Sequence, residues 1–348
     1  MTDQAASPAE IANETQAPRP ARGPWATALR KLRNDRAAMA ALLLFLLIVA
    51  LCMLAPLYAT HVARTDPFRS NLSGQITVDG QLVPVMENST EGLGLGFTPI
   101  GPTWDVRAYF LGADGQGRDV AARLLYGGRN SLLIAGTATA ICLVLAAIVA
   151  LAAGFFGGVT DWVLSRLLDV LWAFPVYLLA ISLSIVLISH GIDIGPISID
   201  SGSLSLPIFI IGIIYVPYVA RPIRGQVLAL KESEFVLAAI GLGVPSHRIL
   251  FRDILPNVMT TLIVFVPLMM AINMLTESAL SFLSIGVQPP NASWGTIIQD
   301  GQGLLYTRPM VALAPGIAIV ITVLALNIFG DGVRDALDPR SKLRIRTA

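Results

Sequence analysis

Lysine is almost missing from this chain: Lys31, Lys231 and Lys342 are its only copies, and they follow Arg30, Leu230 and Ser341. A phosphate-binding loop of the GxxxxGK(S/T) type needs a lysine directly after glycine, so no ATP site of that kind belongs to this chain. Cysteine is limited to Cys52 and Cys142, both in apolar runs where a small thiol packs well, which excludes a disulfide framework. His61, His190 and His247 stand alone without metal-ligand spacing. No Ser-His pair or His/Asp/Glu cluster stands at a catalytic spacing, so the chain does not read as an enzyme.

Charged residues are also few, at 14%, against 54% apolar residues and a mean hydropathy of +0.69. That balance is too apolar for a soluble globule of 348 residues and describes a polytopic membrane protein. A helix needs roughly 20 apolar residues to cross the hydrocarbon. Six runs satisfy this, at about 37–58, 131–156, 170–189, 206–226, 258–284 and 309–330. The predicted fold class is all-α with six transmembrane helices, a membrane domain over 37–348. The lipid bilayer is the expected surrounding, and nucleic acid is not an expected partner.

Residues 1–36 are polar, rich in Ala and Pro, and end in Arg30, Lys31, Arg33 and Arg36, which reads as a disordered cytoplasmic tail closed by a basic helix with Trp25. With this tail inside, six crossings return the C-terminus to the cytoplasm. Basic residues at Arg166, in 221–257 and from Arg334 to Arg346 then fall inside, as the positive-inside rule requires. Arg118, Arg123 and Arg129 crowd the outer end of the second helix against that rule, partly balanced by Asp114 and Asp119.

The first outer loop, 59–130, is long enough for a small subdomain, with irregular short strands expected over Asn71 to Thr98. At its end Asp119 is placed to cap a short surface helix with Val120, Leu124 and Leu125 on the membrane and Arg118 and Arg123 in water. A second insertion, 190–205, has no assigned role.

Between the fourth and fifth runs, the loop 227–257 carries Lys231, Glu232, Glu234, Arg248, Arg252 and Asp253, so it stands in water. Phe235, Ala238, Ala239 and Leu242 fall at i, i+3, i+4 and i+7, one apolar stripe on a short helix. Gly243 ends that helix, and Ser246 is placed to cap a second one that stops at Pro256. This finger reads either as a plain connector or as a surface another protein grips, since small residues on its stripe let a second backbone approach.

Two more features are chemically notable. Asp161, Arg166 and Asp169 share an inner segment before the third helix, where Arg166 reaches either carboxylate at helical spacing; weak ion pairs on an interfacial helix account for them. Glu277 interrupts the apolar run of the fifth helix. An ionisable group at that depth either faces a cavity on a transport path or bonds a neighbouring helix, Asn273 being one turn away.

The spacing Leu237-Ala238-Ala239, Gly243, Ile254-Leu255-Pro256 resembles the EAA loop of ABC importer permeases, with Leu237 in place of the glutamate that names it. Further matches are ordered along 110–340. They are Leu111-Gly112-Ala113-Asp114 through Gly117-Arg118-Asp119 to Leu124-Leu125-Tyr126-Gly127; Gly157-Gly158 with Asp161, Arg166, Asp169 and Pro175; Ala279 to Gly286 with Gln288-Pro289-Pro290 and Trp294-Gly295; and Gly330 to Pro339. Together they resemble the C-type permeases of dipeptide and oligopeptide ABC importers, of the peptide/nickel type.

The resemblance implies a type I permease fold and a permease that forms a path with a second permease. It implies two ATP-binding subunits that hold ATP-Mg, an extracytoplasmic solute-binding protein, a location in the bacterial inner membrane, and no cofactor on this chain. Cargo would be a dipeptide or oligopeptide, with a nickel complex, glutathione or another small peptide-like solute as the alternative. Phe235, Ala238, Ala239, Leu242, Gly243, Ile254, Leu255 and Pro256 would form the ATPase-coupling loop, and Glu277 is the candidate pathway residue. A stand-alone secondary transporter or channel is the rival of another class, but it would expect an inverted repeat and interrupted midplane helices, which the sequence does not display.

Overall fold

The computed structural model describes residues 24–78, 80–89, 96–194, 197–200 and 202–338. The tail before Pro24 and the basic end with Arg340, Lys342, Arg344 and Arg346 lie outside the described residues.

Helix α1 (Pro24–Asn34) stops where Asp35 caps α2 (Arg36–Met53), its carboxylate accepting from the N–H groups of Ala37 and Ala38 at 3.0 and 3.1 Å. The chain continues through Ala55–Leu57 and a wide turn, Tyr58–Val62, into an outer subdomain. There β1 (Gln75–Val78) pairs antiparallel with β2 (Gln81–Pro84), and β3 (Met86–Asn88) with β4 (Phe97–Pro99). These are the short strands expected, around a core of Val85, Ile100, Tyr109 and Ala113.

The surface helix expected after Asp119 is not separate. Asp119 caps α3 (Val120–Phe156), one unbroken helix of 37 residues, accepting from the N–H groups of Ala121 and Ala122. The helix continues because Gly127 and Gly128 lie on its packed face, under Ser293, Trp294 and Ile297, so tertiary contact outweighs their low helix propensity.

Helix α4 (Gly158–Trp172) meets α5 (Val176–His190) at 87°. Pro175 forces the break: it disfavours helical backbone at Phe174 and supplies no N–H to continue the ladder. Residues 170–172 therefore belong to α4, and the expected run 170–189 is not one straight crossing. A hairpin of β5 (Ile192–Ile194) and β6 (Ile197–Ile199) fills the 190–205 insertion. Next, α6 (Ser205–Ile214) and α7 (Val216–Lys231) meet at 40° beside Tyr215, with Pro217 in the first turn of α7.

Beyond the short α8 (Glu234–Gly241), the chain enters α9, continuous over Ser246–Phe282. Pro256 does not end a short helix as expected. It sits in the opening turn of the α-wound part, where its missing N–H costs little because the preceding residues Ile249–Ile254 are wound as a wider π turn. Ser246 is a helical residue, and Pro245 holds the cap position. The chain closes with α10 (Trp294–Gly301) and α11 (Met310–Leu337). Helices α2, α3, α9 and α11 are long and apolar enough to cross a membrane, and the two bent pairs make six spans if each pair counts as one.

The main core lies where α3, α6, α7 and α9 meet. Ile134, Ala138, Cys142, Ala146 and Ala150 line α3 at every fourth position, all buried, against Val219, Ile223 and Val227 of α7. In lipid no hydrophobic force drives helices together, so small side chains that permit close packing carry this contact. A second cluster joins Cys52, Leu132, Met274 and Trp294. Both cysteines are buried and unpaired.

Candidate functional site: the finger and the groups behind it

The finger is held by its inside and shows its outside. Val236, Ile249 and Ile254 are fully buried and fasten it to the bundle. Gly243 takes φ +75°, where a side chain would clash with backbone, and so lets the chain reverse. The Val244 N–H reaches the Ala239 carbonyl at 3.0 Å and the Gly243 N–H reaches Ile240 at 2.9 Å, satisfying the last carbonyls of α8. Of the residues singled out by sequence, Phe235, Ala238, Leu242, Gly243 and Pro256 are exposed, Ala239 and Leu255 are half-buried, and Ile254 is an interior anchor. Leu237, Ile240 and Phe251 join the exposed set. Leu242, at 85% exposure, is the most open of the large apolar side chains here.

Behind the finger, α4 is strapped to α7. Arg224 grips Asp161 with two bonds of 2.5 Å, and Arg221 reaches Asp169 at 2.9 Å while lying over the Trp172 ring. The expected Arg166–Asp169 pair is present at 3.3 Å but highly exposed, so the α7 arginines are the principal partners of both carboxylates. Sequence offered no period linking positions more than 50 residues apart.

Glu277 is fully enclosed by this chain. Its carboxylate accepts from the Ser281 hydroxyl at 2.7 Å and the Ser278 hydroxyl at 3.4 Å, with the hydroxyls of Ser131 and Ser293 also facing it. The same serines do a second job: Ser281 accepts from the Val287 N–H, Ser131 from the Trp294 N–H, and Ser293 caps α10. Asn273, the partner considered from sequence, bonds Thr139 instead at 2.9 Å. Glu277 thus ties α3, α9 and α10 together, the helix-bonding arrangement weighed from sequence, with serines in place of Asn273 as its partners.

At the outer end, Arg118 and Arg123 are not in water as expected. Both reach Asp300, at 2.9 and 2.7 Å, and both approach Asp114, at 2.7 and 3.3 Å. Two cations share two carboxylates, so the buried charge is balanced, and the four groups fasten the outer subdomain to α10. Asp119 next to them is buried, which pushes its carboxyl up, while N–H donors from Tyr109, Ala121 and Ala122 and the Thr65 hydroxyl pull it down. Asp300 was invisible to sequence reasoning, since it lies 177 residues from Arg123.

A bundle with a charged-flanked, apolar finger at one end and a subdomain at the other frames the comparison with known proteins. The family model described as "Binding-protein-dependent transport system inner membrane component" matches residues 143–343, and "N-terminal TM domain of oligopeptide transport permease C" matches 23–73. The chain belongs to the binding-protein-dependent transport permeases. It is 32% identical to the dipeptide transport system permease protein DppC of Alkalihalophilus pseudofirmus over 92% of this chain and 91% of that one. To the oligopeptide transport system permease protein OppC of Bacillus subtilis it is 34% identical, over 91% and 90%. To the glutathione transport system permease protein GsiD of Escherichia coli it is 31% identical, over 92% of both. The MetNI methionine ABC transporter in an inward-facing conformation aligns with a TM-score of 0.47 and 18% identity, over 62% of this chain and 96% of that one. The permease is therefore an integral inner-membrane subunit of a multi-component ABC importer, and the stand-alone transporter is set aside.

Proposed function

We propose that this permease forms, with a second permease subunit, the path by which dipeptides or oligopeptides enter the cell, driven by two ATP-binding subunits that hold ATP-Mg and supplied by an extracytoplasmic solute-binding protein. Both termini and the finger face the cytoplasm. The finger, through Phe235, Ala238, Leu242 and Gly243, sits in a cleft of an ATP-binding subunit, and closure of the ATPase pair rocks α7 and α9. One observation carries this reading: Phe235, Leu237, Ile240, Leu242 and Phe251 are exposed among the charged positions Lys231, Glu232 and Arg252; a segment so charged belongs in water, where a protein partner rather than lipid would cover them.

The relatives named for dipeptide and oligopeptide transport support the cargo class. Glutathione is the second reading, favoured by the relative named for it. Glu277 acts behind the path, holding the junction of α3, α9 and α10.

The test is co-purification from gently solubilised native membranes. Leu242→Asp changes an exposed side chain and leaves the Val236 anchor intact, so the variant should keep the second permease and lose the ATP-binding subunits by tenfold or more. If both partners stay, the finger is not the docking surface. Uptake of labelled dipeptide, a hexapeptide and glutathione in ATP-loaded vesicles then separates the cargo readings.

A further inference from the structure

One apolar groove, of about 300 Å³, is unaccounted for by transport. Its walls are Ala28 and Leu32 of α1, Ile263 and Val266 of α9, and Phe329 and Val333 of α11. At one level of this groove α9 and α11 touch. A side chain at Gly330 would sit 3.0 Å from the Pro267 ring, so the helices meet there. Pro267, inside α9 and without an N–H to donate, lies at the same groove wall.

Helix α1 crosses over the gap with Trp25 and Leu29 at the mouth, 47% and 68% exposed. From Phe329 to Leu337 the groove runs about 12 Å along α11, from the end of its apolar run toward the proposed cytoplasmic interface. Arg30, Arg33 and Arg36 stand exposed beside it and, among the described residues, form no ion pair. Asp35 is occupied in capping α2. Asp331 and Asp335 lie exposed on α11, which places an anionic group on the α1 side of the mouth rather than over α11.

We infer that this groove is a binding site for one anionic phospholipid of the inner leaflet, with an acyl chain between α1, α9 and α11 and the phosphate at Arg30 and Arg33. A Trp at the mouth and cations at its rim match the interface, where aromatic rings and basic side chains meet headgroups. The bound lipid would fasten α1 to the end of α11. The inference rests on the cytoplasmic placement of α1 proposed above. That placement is tested separately by labelling, so its failure would not be mistaken for failure of lipid binding.

The measurement is native mass spectrometry of the assembled importer taken from nanodiscs containing equal phosphatidylglycerol and phosphatidylcholine. About one phosphatidylglycerol per copy of this chain should survive delipidation. Arg30→Gln with Arg33→Gln should lower its retention about 25-fold, at roughly fivefold per cation removed. Ala336→Trp fills the groove wall and should abolish retention. Leu29→Glu, at an exposed site that folding does not need, should do the same if the tryptophan variant fails to assemble. Equal retention of phosphatidylcholine by the native complex, or undiminished phosphatidylglycerol in Leu29→Glu, overturns the proposal. So does a photoreactive residue at position 25 that crosslinks to protein instead of lipid.

Discussion

Glu277 shows how an ionisable residue can be kept in a bundle without a counter-ion. Four serine hydroxyls replace the water it gave up, and three of them also satisfy backbone N–H groups around α10. Removing the carboxylate would leave several buried hydroxyls short of a partner, each worth about 1–3 kcal/mol. Glu277→Ala should therefore lower the yield of folded complex and the transport rate by the same factor, whereas Glu277→Gln, which keeps an acceptor oxygen, should retain most of both. The check is thermal stability of the purified complex alongside vesicle uptake. Transport lost at full yield in the alanine variant would return Glu277 to the path. Sequence flagged this residue through its depth in an apolar run, but its true partners come from helix positions with no shared period.

Among the elements, the pair α4 and α7 governs how the finger is mounted. The Arg224–Asp161 and Arg221–Asp169 contacts bridge α4 to the helix that feeds the finger. Both pairs are part-exposed, so each should stabilise the fold by no more than about 1 kcal/mol. Their value would lie in geometry. Arg224→Ala should leave assembly and melting temperature nearly unchanged, yet reduce the peptide moved per ATP hydrolysed; equal transport and hydrolysis would assign the strap to packing alone. The stripe on α8 was legible because a 3.6-residue period and a terminal glycine are local signals. What sequence could not reveal was the division of labour inside it, with Val236 and Ile254 turned inward, since that depends on where α7 and α9 converge. The 87° bend at Pro175 falls inside what the sequence offered as one apolar run, 170–189, because hydropathy counts residues and not their direction.

For the whole molecule, the six apolar runs anticipated the spans well, because hydrocarbon thickness enforces their length. They misjudged the second, whose helix starts eleven residues earlier than its apolar run, and the third and fourth, each of which is a bent pair of helices. The proposed orientation rests on the distribution of Arg and Lys, and it has a direct check: Leu242→Cys, made with the buried native cysteines in place, should react with a membrane-impermeant maleimide only in inside-out vesicles. Reaction from the other face would invert the topology.

The continuous α3 has a mechanical consequence. Its 37 residues extend about 55 Å, nearly twice the hydrocarbon thickness, with the arginine–aspartate cluster at one end and α7 packed along the other. A rod of that length is a lever: a pull on the outer subdomain that tilts it by about five degrees would carry its far end through about 5 Å, roughly one helical turn, beside the helix that holds the finger.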